Sequence, residues 1–431
     1  MQASSAEYGG FTVRTALYAL AVLESCAKNV RQGAFEPVGV SMKFVTAGES
    51  HGPCLTAIVS DVPAGLKISQ ESLNADLARR QGGYGRGGRQ QIERDTANVL
   101  SGVRFGVTLG TPITLQVVNR DWQNWTDRMA VFGKPPADLQ REVTPRPGHA
   151  DLVGVLKNAT DDCRDVLERS SARETAARVA AAGIAREFLA ELGVEVFSFV
   201  TRIGTAAMEE DDPMTRAPHY TPLEIEMSPV RCPDAAASEK MMKMIDVARV
   251  KGESLGGTFR VVATGLVPGL GDFASGPERL TSKLGAAMFS IPAIKGVEFG
   301  LGFEAAGREG SRVHDPIVHT DGGGFSREGN NAGGLEGGMT TGAALVITAA
   351  MKPIPTMMTP LSTVSIDTME PAQASKERSD VCAVPAAAVV AEAEVALVLA
   401  DAYMRKFGHD NMTDIKANVK QYRQRLKMQS R

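Results

Sequence analysis

Two of the chain's six histidines lie in short segments rich in proline and glycine. His149 lies in Thr144–Asp151 beside Arg146, and His51 lies in Gly48–Pro53. Proline fixes φ and removes a backbone donor, whereas glycine lets another molecule approach the backbone closely. An imidazole held in such a turn, next to charged neighbours, suits acid–base chemistry on an anion. A single histidine in a turn can be purely structural, but the repetition of the pattern favours a functional role.

The segment Arg79–Arg89 combines four arginines with five glycines in eleven positions. Glycine exposes backbone amides to a ligand, and guanidinium groups pair bidentately with phosphate oxygens, so the segment predicts a phosphate-rich ligand. A solvated loop or an RNA-binding tract is the alternative. Because the segment follows a predicted helix that begins after the capping residue Ser69 and stops at Gly82, a folded ligand site is favoured.

The segment Glu168–Thr175 is predicted to open an alanine-rich helix. Backbone amides at a helix N-terminus, together with the Ser170 and Ser171 hydroxyls, attract an anion such as a cofactor phosphate. Simple capping by Ser171, with Glu174 three residues later, explains the same residues equally well. The segment alone leaves both interpretations open.

A dense glycine cluster, Gly333–Gly342, precedes a predicted strand and matches neither a P-loop nor a dinucleotide-binding fingerprint. Tight turns and close backbone packing are the alternative to a ligand site. The strand ends in Lys352–Thr356, where two prolines form a rigid loop that can direct the lysine ammonium inward. Arg378 and Asp380 lie just before the last long predicted helix, and taken alone they are best interpreted as a mutual ion pair.

Composition predicts an ordinary soluble globular protein. Of the 431 residues, 43% are hydrophobic and 23% are charged, and the net charge is −3, so nothing global predicts nucleic acid or a membrane as a partner. No apolar run approaches the roughly 20 residues that span a bilayer. The five cysteines are scattered and never spaced as Cys-x-x-Cys, which argues against a disulfide framework or a metal site and favours the cytoplasm.

The elements that must position these residues mix strands and helices without strict alternation. Strands are predicted at 43–47, 194–200, 258–267, 297–302 and 343–349. Helices are predicted between Ser69 and Gly82 and at 172–192, 235–250, 278–289, 385–407 and 411–427. No repeat or low-complexity block interrupts this pattern, so a single domain is predicted from Met42 to Arg431.

Residues 1–41 are predicted to form a separate N-terminal extension. A short apolar stretch, Leu17–Leu23, follows Arg14 and resembles the core of a signal peptide. Glu24 interrupts this stretch and Lys28 follows in place of a cleavage site, so a helical appendage or an upstream-extended reading frame is favoured. We therefore predict that the extension is dispensable for folding and activity.

Six segments, in this order along the chain, resemble the chorismate synthase family. They are Gly48–Gly52, Arg80–Arg89, Arg146–Asp151, Ser171–Thr175, Asn330–Gly334 and Arg378–Asp380. Each signal is moderate alone, but the joint pattern is specific, and the resemblance covers Met42 to about Lys427. It implies a mixed α/β fold (α+β), a β-α-β sandwich in which two antiparallel sheets pack with helices, and assembly as a homotetramer.

The resemblance also implies a reaction, the last step of the shikimate pathway to aromatic amino acids. A carbon–oxygen lyase of this family removes phosphate from C3 and a hydrogen from C6 of 5-enolpyruvylshikimate 3-phosphate, an anti-1,4-elimination that gives chorismate. The family uses reduced FMN although no net redox change occurs, because the unactivated C6 hydrogen is too weakly acidic for a side-chain base. NADPH is implied only as a reductant of the flavin.

Roles for individual residues follow from the same resemblance. His51 would protonate the departing phosphate, His149 would serve the anionic N1 region of the reduced flavin, and Asp380 would assist removal of the C6 hydrogen through flavin N5. The residues implied to bind substrate anions are Arg80, Arg86, Arg146 and Lys352, and the first two also have an implied NADP-binding role. Those implied to contact FMN are Arg169, Ser170, Ser171, Pro292, Ala293, Gly337, Lys352, Pro353, Ile354, Pro355, Thr356 and Arg378. Pro292 departs from the glutamine or asparagine expected there, which removes a side-chain amide and a backbone donor.

Two functions from other classes are the alternatives. A flavin or nucleotide reductase predicts NADPH oxidation without a shikimate substrate, but no separate dinucleotide fingerprint supports it. A non-catalytic phospholigand or RNA-binding protein built on Arg79–Arg89 predicts salt-sensitive binding that survives loss of His51 and His149. That alternative leaves the two rigid histidine turns unexplained.

Overall fold

The structure is a computed structural model that describes residues 42–87, 94–209, 220–320, 324–376 and 380–429. The predictions made for residues 1–41 and for Arg378 concern residues outside these ranges. Among the residues that the structure describes, none of the helices combines the length and the apolar character that crossing a bilayer requires.

The helices are short near the site and long in the core. In chain order they are α1 (Gln70–Gln81), α2 (Asp151–Asn158), α3 (Arg164–Ser170), α4 (Thr175–Glu191), α5 (Pro222–Met227), α6 (Ala235–Lys251), α7 (Leu280–Ser290), α8 (Val384–Phe407) and α9 (Met412–Gln429). A 3₁₀ turn at Ala172–Glu174 joins α3 to α4.

The strands form two main sheets and several two-stranded hairpins. They are β1 (Lys43–Ala47), β2 (Cys54–Ser60), β3 (Ala97–Val99), β4 (Val103–Arg104), β5 (Val107–Thr108), β6 (Ile113–Val118), β7 (Glu195–Ile203), β8 (Ala206–Ala207), β9 (Gly257–Thr264), β10 (Ile294–Phe299), β11 (Ile317–Thr320), β12 (Gly324–Arg327), β13 (Leu335–Glu336), β14 (Met339–Thr340), β15 (Leu345–Met351), β16 (Ser362–Val364) and β17 (Pro371–Gln373). One main sheet has the order β1-β2-β6-β3 and the other the order β10-β15-β9-β7-β8. All strand pairs in both sheets are antiparallel.

A layer of helices lies between the two main sheets. Helix α4 packs on strands β1, β2 and β6 of the four-stranded sheet, whereas α8 packs on β7 and β9 of the five-stranded sheet, and the two helices contact each other. Buried side chains alternate along β2, where Leu55 is paired with Val117, and this alternation turns an apolar face toward α4. The predicted β-α-β sandwich of two antiparallel sheets is confirmed.

The alanine content of the two central helices explains how they fit between the sheets. Helix α8 is buried around nearly its whole circumference, from Val384 to Phe407, and α4 is buried along most of its length. Small side chains let a helix approach two neighbouring layers closely, and full burial removes the need for a polar face. Helices α4 and α8 begin at the same end of the sandwich, and residues near both starts line the cavity described below.

Most predicted elements are confirmed within a few residues, and two strand ends shift for identifiable reasons. Strand β9 ends at Thr264 because Gly265 has a φ of +76° and a Cβ atom there would lie 2.0 Å from the Gly193 carbonyl oxygen. Strand β10 ends at Phe299 because Gly300 turns the chain with a φ of +58°.

Candidate active site

A cavity of about 390 Å³ opens at the end of the sandwich where α4 and α8 begin. Such a volume is typical of a small-molecule site. Basic side chains line much of it, namely His51, Arg80, Arg86, Arg146, His149, Arg173 and Lys352. An apolar wall completes it, formed by Leu167, Ile291, Met351, Ile354, Ala383, Ala386, Ala387 and Val390. The combination suits a ligand that carries several anionic groups and a flat apolar part.

His51 is held by Glu168. The Nδ1 atom of His51 lies 3.0 Å from both carboxylate oxygens, and the His51 backbone amide donates to Oε2 at 2.8 Å. Glu168 is 2% exposed, which opposes its charge, but hydrogen bonds from His51 and the charge of Arg164 lower its pKa below the ordinary value. An ionised carboxylate only accepts hydrogen bonds, so Nδ1 carries a proton.

An aromatic ring covers His51 from one side. The centroids of the His51 and Trp125 rings are 4.1 Å apart, and the Arg164 guanidinium lies 5.1 Å from the Trp125 ring. Arg164 also donates from Nη1 to Glu168 Oε1 at 2.9 Å. The four residues form a closed ring of contacts that restrains the imidazole.

His149 is held in a similar way by a buried aspartate. Its Nδ1 atom lies 2.5 Å from Oδ1 of Asp151, whose side chain is fully buried. Arg146 donates to the same carboxylate from its backbone amide at 3.1 Å, from Nε at 2.8 Å and from Nη2 at 3.1 Å, and its Nη1 donates to Thr356 Oγ1. Burial opposes the charge of Asp151, but hydrogen bonds from His149 and Arg146 hold its pKa well below the ordinary range.

Arg86 and Asp380 form an ion pair just before the start of helix α8. Nη1 of Arg86 donates to Asp380 Oδ2 at 2.5 Å, and the Gly87 amide donates to Oδ1 at 2.6 Å. Within the described residues, Nε of Arg86 is buried and has no hydrogen-bond partner. The structure pairs Asp380 with Arg86. The pair between Arg378 and Asp380, which the sequence favoured when those residues were considered alone, stays a prediction because Arg378 lies outside the described residues.

The floor of the cavity is a network of arginines around one aspartate. Arg80 donates from Nε to Thr175 Oγ1 at 3.0 Å and from Nη1 to Asp95 at 3.2 Å. Arg173 donates to the other Asp95 oxygen at 2.6 Å and to Asn119 at 2.9 Å. Burial, opposed by Asp95 and reinforced by nearby arginines, lowers the pKa of Arg80 to about 10, so it stays charged at neutral pH. Each arginine thus has an internal carboxylate partner as well as a place in the cavity lining.

Lys352 enters the cavity from the loop after β15, as the sequence predicted. Its Nζ donates to the Gly148 carbonyl oxygen and thereby joins the loop to the His149 turn. Burial, together with the charge of Lys295, lowers the pKa of Lys352 below its ordinary value. A bound anion would stabilise the charged form of such a lysine more than it would stabilise that of a fully solvated lysine.

Several residues implied in FMN binding lie in this cavity, and others do not. Those in the lining are Ser170, Ser171, Pro292, Ala293, Lys352, Ile354, Pro355 and Thr356. Pro353 and Gly337 are absent from the lining, and Gly337 lies in the hairpin turn between β13 and β14. Arg169 is also outside it, because its guanidinium donates to the Thr46 and Gly48 carbonyl oxygens and fixes the end of β1.

The prediction that Glu168–Thr175 opens the alanine-rich helix is wrong for its first residues. Ser170 is the last residue of α3, and its hydroxyl donates to the Val166 carbonyl oxygen at 2.9 Å. Ser171 accepts a hydrogen bond from the Arg173 amide and begins the 3₁₀ turn that precedes α4. At the start of the separate helix α3, the Asp162 carboxylate accepts from the Arg164 amide at 2.8 Å.

The alternative interpretation of Arg79–Arg89 as a solvated loop conflicts with the contacts of the arginines that the structure describes. Arg79 belongs to α1 and donates to Glu392 at 2.8 Å through both Nη atoms. Arg80 and Arg86 are paired with Asp95 and Asp380 as described above. Arg89 lies outside the described residues. Three of the four arginines are therefore part of the folded structure.

Sequence reasoning missed the residues that position the predicted ones. Glu168, Asp151 and Asp95 each hold a basic side chain of the cavity, and Trp125 stacks on His51. Glu168 and Asp151 stood inside segments that the sequence singled out. Asp151 follows His149 by two residues, which was an available signal, whereas Glu168 lies 117 positions from His51. Trp125 and Asp95 carried none, because their partners lie far away along the chain.

The family model of chorismate synthase matches residues 42–404. The chain belongs to the chorismate synthase family. It is similar to the chorismate synthase of Geobacter sulfurreducens, with 51% identity over 388 residues that cover 88% of this chain and 98% of the relative. It is similar to that of Bacillus subtilis, with 50% identity over 391 residues that cover 89% of this chain and 98% of the relative. A solved crystal structure of a chorismate synthase has a TM-score of 0.74 and 42% identity, covering 90% of this chain and 99% of that one.

These matches confirm the family and the enzyme class predicted from the sequence, and the solved structure agrees with the predicted fold. They support chorismate synthesis, the last step of the shikimate pathway, as the activity of the chain. The cavity described above lies within the matched residues.

Proposed function

We propose that the protein converts 5-enolpyruvylshikimate 3-phosphate into chorismate by anti-1,4-elimination of phosphate and the C6 hydrogen, with reduced FMN as a cofactor that undergoes no net redox change. The observation that carries this proposal is one cavity in which two carboxylate-held histidines and several arginines face an apolar wall. A substrate with one phosphate and two carboxylates, next to a phosphate-bearing flavin, presents the complementary anions and the flat apolar ring.

The fit of FMN rests on donor chemistry present in the cavity. The buried Nε of Arg86 has no partner among the described residues, so it is a donor available to an anion. The alanines at the start of α8 leave an apolar surface against which a planar ring can pack. Bound reduced FMN would supply reversible electron donation to the substrate. The loop Lys352–Thr356, together with Pro292 and Ala293, would hold the flavin.

His51 and His149 would perform the proton chemistry. Nδ1 of each imidazole faces a carboxylate, so Nε2 would exchange protons with a ligand. His51 in its doubly protonated form would pass the Nε2 proton to the departing phosphate and return to the neutral Nδ1-protonated form, and His149 would hold a proton beside the bound flavin. Asp380 would assist removal of the C6 hydrogen.

The binding of the substrate's anionic groups would fall mainly on Arg86 and Lys352. Arg80 and Arg146 also line the cavity, but carboxylates and hydroxyls inside the protein already accept most of their hydrogen bonds. They would contribute positive charge more than direct contact. The apolar wall would exclude water around the reacting groups and strengthen these charge interactions.

Homotetrameric assembly and a cytoplasmic location complete the proposal. The first derives from the family resemblance and the second from the scattered cysteines. Light scattering coupled to size-exclusion chromatography tests the assembly directly. The expected mass is four times that of the 45.7 kDa chain. A monomeric mass at assay concentration would contradict the assembly part of the proposal and leave the chemistry to be judged separately.

An anaerobic assay tests the reaction. The purified protein is incubated with 5-enolpyruvylshikimate 3-phosphate and photoreduced FMN, and chorismate is measured by chromatography. Omission of the flavin, or its use in the oxidised form, is expected to abolish the product. Absence of chorismate with reduced FMN overturns the proposed function.

The same assay with NADPH and oxidised FMN addresses flavin reduction. Chorismate formed under those conditions shows that the chain reduces its own flavin, and its absence shows that another protein must. NADPH oxidation without the shikimate substrate and without chorismate in either assay favours the reductase alternative instead.

A further inference from the structure

We propose that Glu168 is the positioning residue of His51, fixing the imidazole as its Nδ1-protonated tautomer while Trp125 and Arg164 restrain the ring and the carboxylate. This inference deepens the proposed function, on which it rests for its catalytic consequence. Glu168 itself is absent from the cavity lining, whereas His51 is part of it. Glu168 would therefore act on the reaction only through the histidine.

The contacts of Glu168 determine more than the position of the ring. Its two oxygens receive the Nδ1 proton, the His51 backbone amide and one Arg164 hydrogen, and its own carbonyl oxygen accepts from the Ser50 amide at 3.0 Å. One residue thus fixes both the backbone and the side chain of the histidine. A free neutral imidazole can place its proton on either nitrogen, and the carboxylate removes that choice.

Trp125 and Arg164 close the arrangement from the other side. The Trp125 ring contacts both the imidazole, at 4.1 Å between centroids, and the Arg164 guanidinium, at 5.1 Å. Rotation of the imidazole away from Glu168 would break the ring contact, and movement of Glu168 would break its pair with Arg164. The tautomer and the orientation of the ring are therefore determined together.

The second histidine provides an independent instance of the same design. His149 is paired through Nδ1 with Asp151, which is in turn held by Arg146, and the three residues repeat the order His51, Glu168 and Arg164. The two groups come from different segments and different helices. The same arrangement at both cavity histidines indicates that each carboxylate orients an imidazole. A purely structural pair of carboxylate and arginine would need no histidine beside it.

The direct test is the tautomer of His51. Protein labelled with 15N-histidine is sedimented and examined by magic-angle-spinning NMR at a pH where neutral imidazole predominates, which suits a large assembly. The His51 signals are identified by their loss in His51→Ala. The expected result is a protonated Nδ1 in the wild type and a shift toward protonated Nε2 in Glu168→Met. An Nε2-protonated His51 in the wild type, or an unchanged tautomer in the variant, overturns the proposal.

Kinetics of the holoenzyme separate positioning from general stability. Glu168→Met is expected to lower kcat by about 10- to 100-fold with little change in substrate Kd, as loss of an orienting carboxylate does. In a His51→Ala background the same substitution is expected to have almost no further effect, because the two residues act as one unit. An equal loss in both backgrounds overturns the positioning role.

Two variants keep the test decisive. Asp165→Asn, on the exposed face of the same helix, is the matched control and should change neither the tautomer nor kcat. If Glu168→Met does not fold, Glu168→Gln retains the volume and is measured in the same way. The NMR result needs no turnover, so a wild type that makes no chorismate refutes the proposed function while the tautomer still decides the role of Glu168.

Discussion

The Asp380 carboxylate lies 2.5 Å from Nη1 of Arg86, although the two residues are 294 positions apart in the chain. The pair joins the loop after α1 to the start of α8 and lies in the lining of the cavity. Arg86 and Asp380 therefore lie in the lining as an ion pair. Under the proposed function, a substrate anion that binds Arg86 would compete with Asp380 for the guanidinium.

Replacing Asp380 with alanine is expected to separate chemistry from binding. Turnover should fall by about 100-fold or more if Asp380 assists removal of the C6 hydrogen. Substrate affinity should hold or increase, because Arg86 loses its internal partner. Steady-state kinetics and calorimetry measure the two effects. Asp410→Ala is the control, since Asp410 is 84% exposed, and near wild-type turnover in Asp380→Ala would remove the catalytic assignment.

The two cavity histidines are expected to be essential for turnover. His51→Ala and His149→Ala should each lower kcat by about 100-fold or more, as loss of a positioned acid or base does. The anaerobic chorismate assay measures both, and binding of FMN is measured separately by its fluorescence. His409→Ala is the matched control, because His409 is half-buried and pairs with Asp410 outside the cavity lining. Near wild-type rates in both variants would contradict the acid–base roles.

Lys352 is expected to make ligand binding sensitive to alkaline pH. Burial and Lys295 lower its pKa, so the charged form and its contribution to anion affinity are present at low pH and are lost as pH rises through that lowered pKa. Substrate affinity should thus begin to fall at a lower pH than it would if Lys352 had the pKa of an ordinary lysine. Lys352→Met should weaken binding near neutral pH and flatten this decline. Calorimetric titrations between neutral and alkaline pH test it, and an identical decline in the variant would assign the effect to another group.

Much of the fold could be predicted because its signals are local. Helix α1 follows from the Ser69 cap and the Gly82 stop, and α8 follows from a long segment rich in alanine and valine. The layered arrangement needed the family resemblance, since antiparallel order such as β10-β15-β9-β7 depends on strand pairs distant in sequence. Local pattern carries no information about which distant strands pair.

In the candidate site, too, only the residues with a local signal could be predicted from the sequence. Rigid turns marked His51 and His149 as residues able to perform chemistry, but nothing local indicated that Glu168, 117 positions away, would hold His51. Arg169, which the family resemblance implies as a flavin contact, lies outside the cavity lining, and its guanidinium binds the end of β1. Its flavin contact stays a prediction. The roles of polar residues depend on partners that only the tertiary structure brings together.

The N-terminal extension is expected to be dispensable. The family match begins at residue 42, and Met42 is 5% exposed within the hydrophobic core, so we expect a chain that begins at this residue to fold. Protein beginning at Met42 should keep the wild-type melting temperature and kcat/KM for the chorismate reaction. Thermal unfolding and the anaerobic assay compare the two lengths. Loss of folding in the truncated protein would show that residues 1–41 belong to the domain.

A buried glutamate is expected to stabilise the helical layer in a way that depends on pH. Glu392 of α8 is 1% exposed and lies within 3.0 Å of Arg79, Arg186 and Arg231, and Ser198 donates to it at 2.6 Å. Burial opposes its charge, but the three arginines lower its pKa to about 2. Removing one member of a buried ion pair costs roughly 3–5 kcal/mol, so Glu392→Gln should be strongly destabilised at neutral pH.

The difference between wild type and Glu392→Gln should narrow on acidification. A carboxylate whose folded pKa is depressed contributes stability above its unfolded pKa of about 4.3 and loses that contribution as pH falls toward the folded value. Urea unfolding at pH 7 and at successively lower pH values measures the narrowing. Glu239→Gln is the matched control, because Glu239 is exposed on α6 and pairs only with Lys243 among the described ion pairs. A gap between wild type and Glu392→Gln that stays constant with pH would contradict the electrostatic origin of the stabilisation, because a packing defect does not titrate.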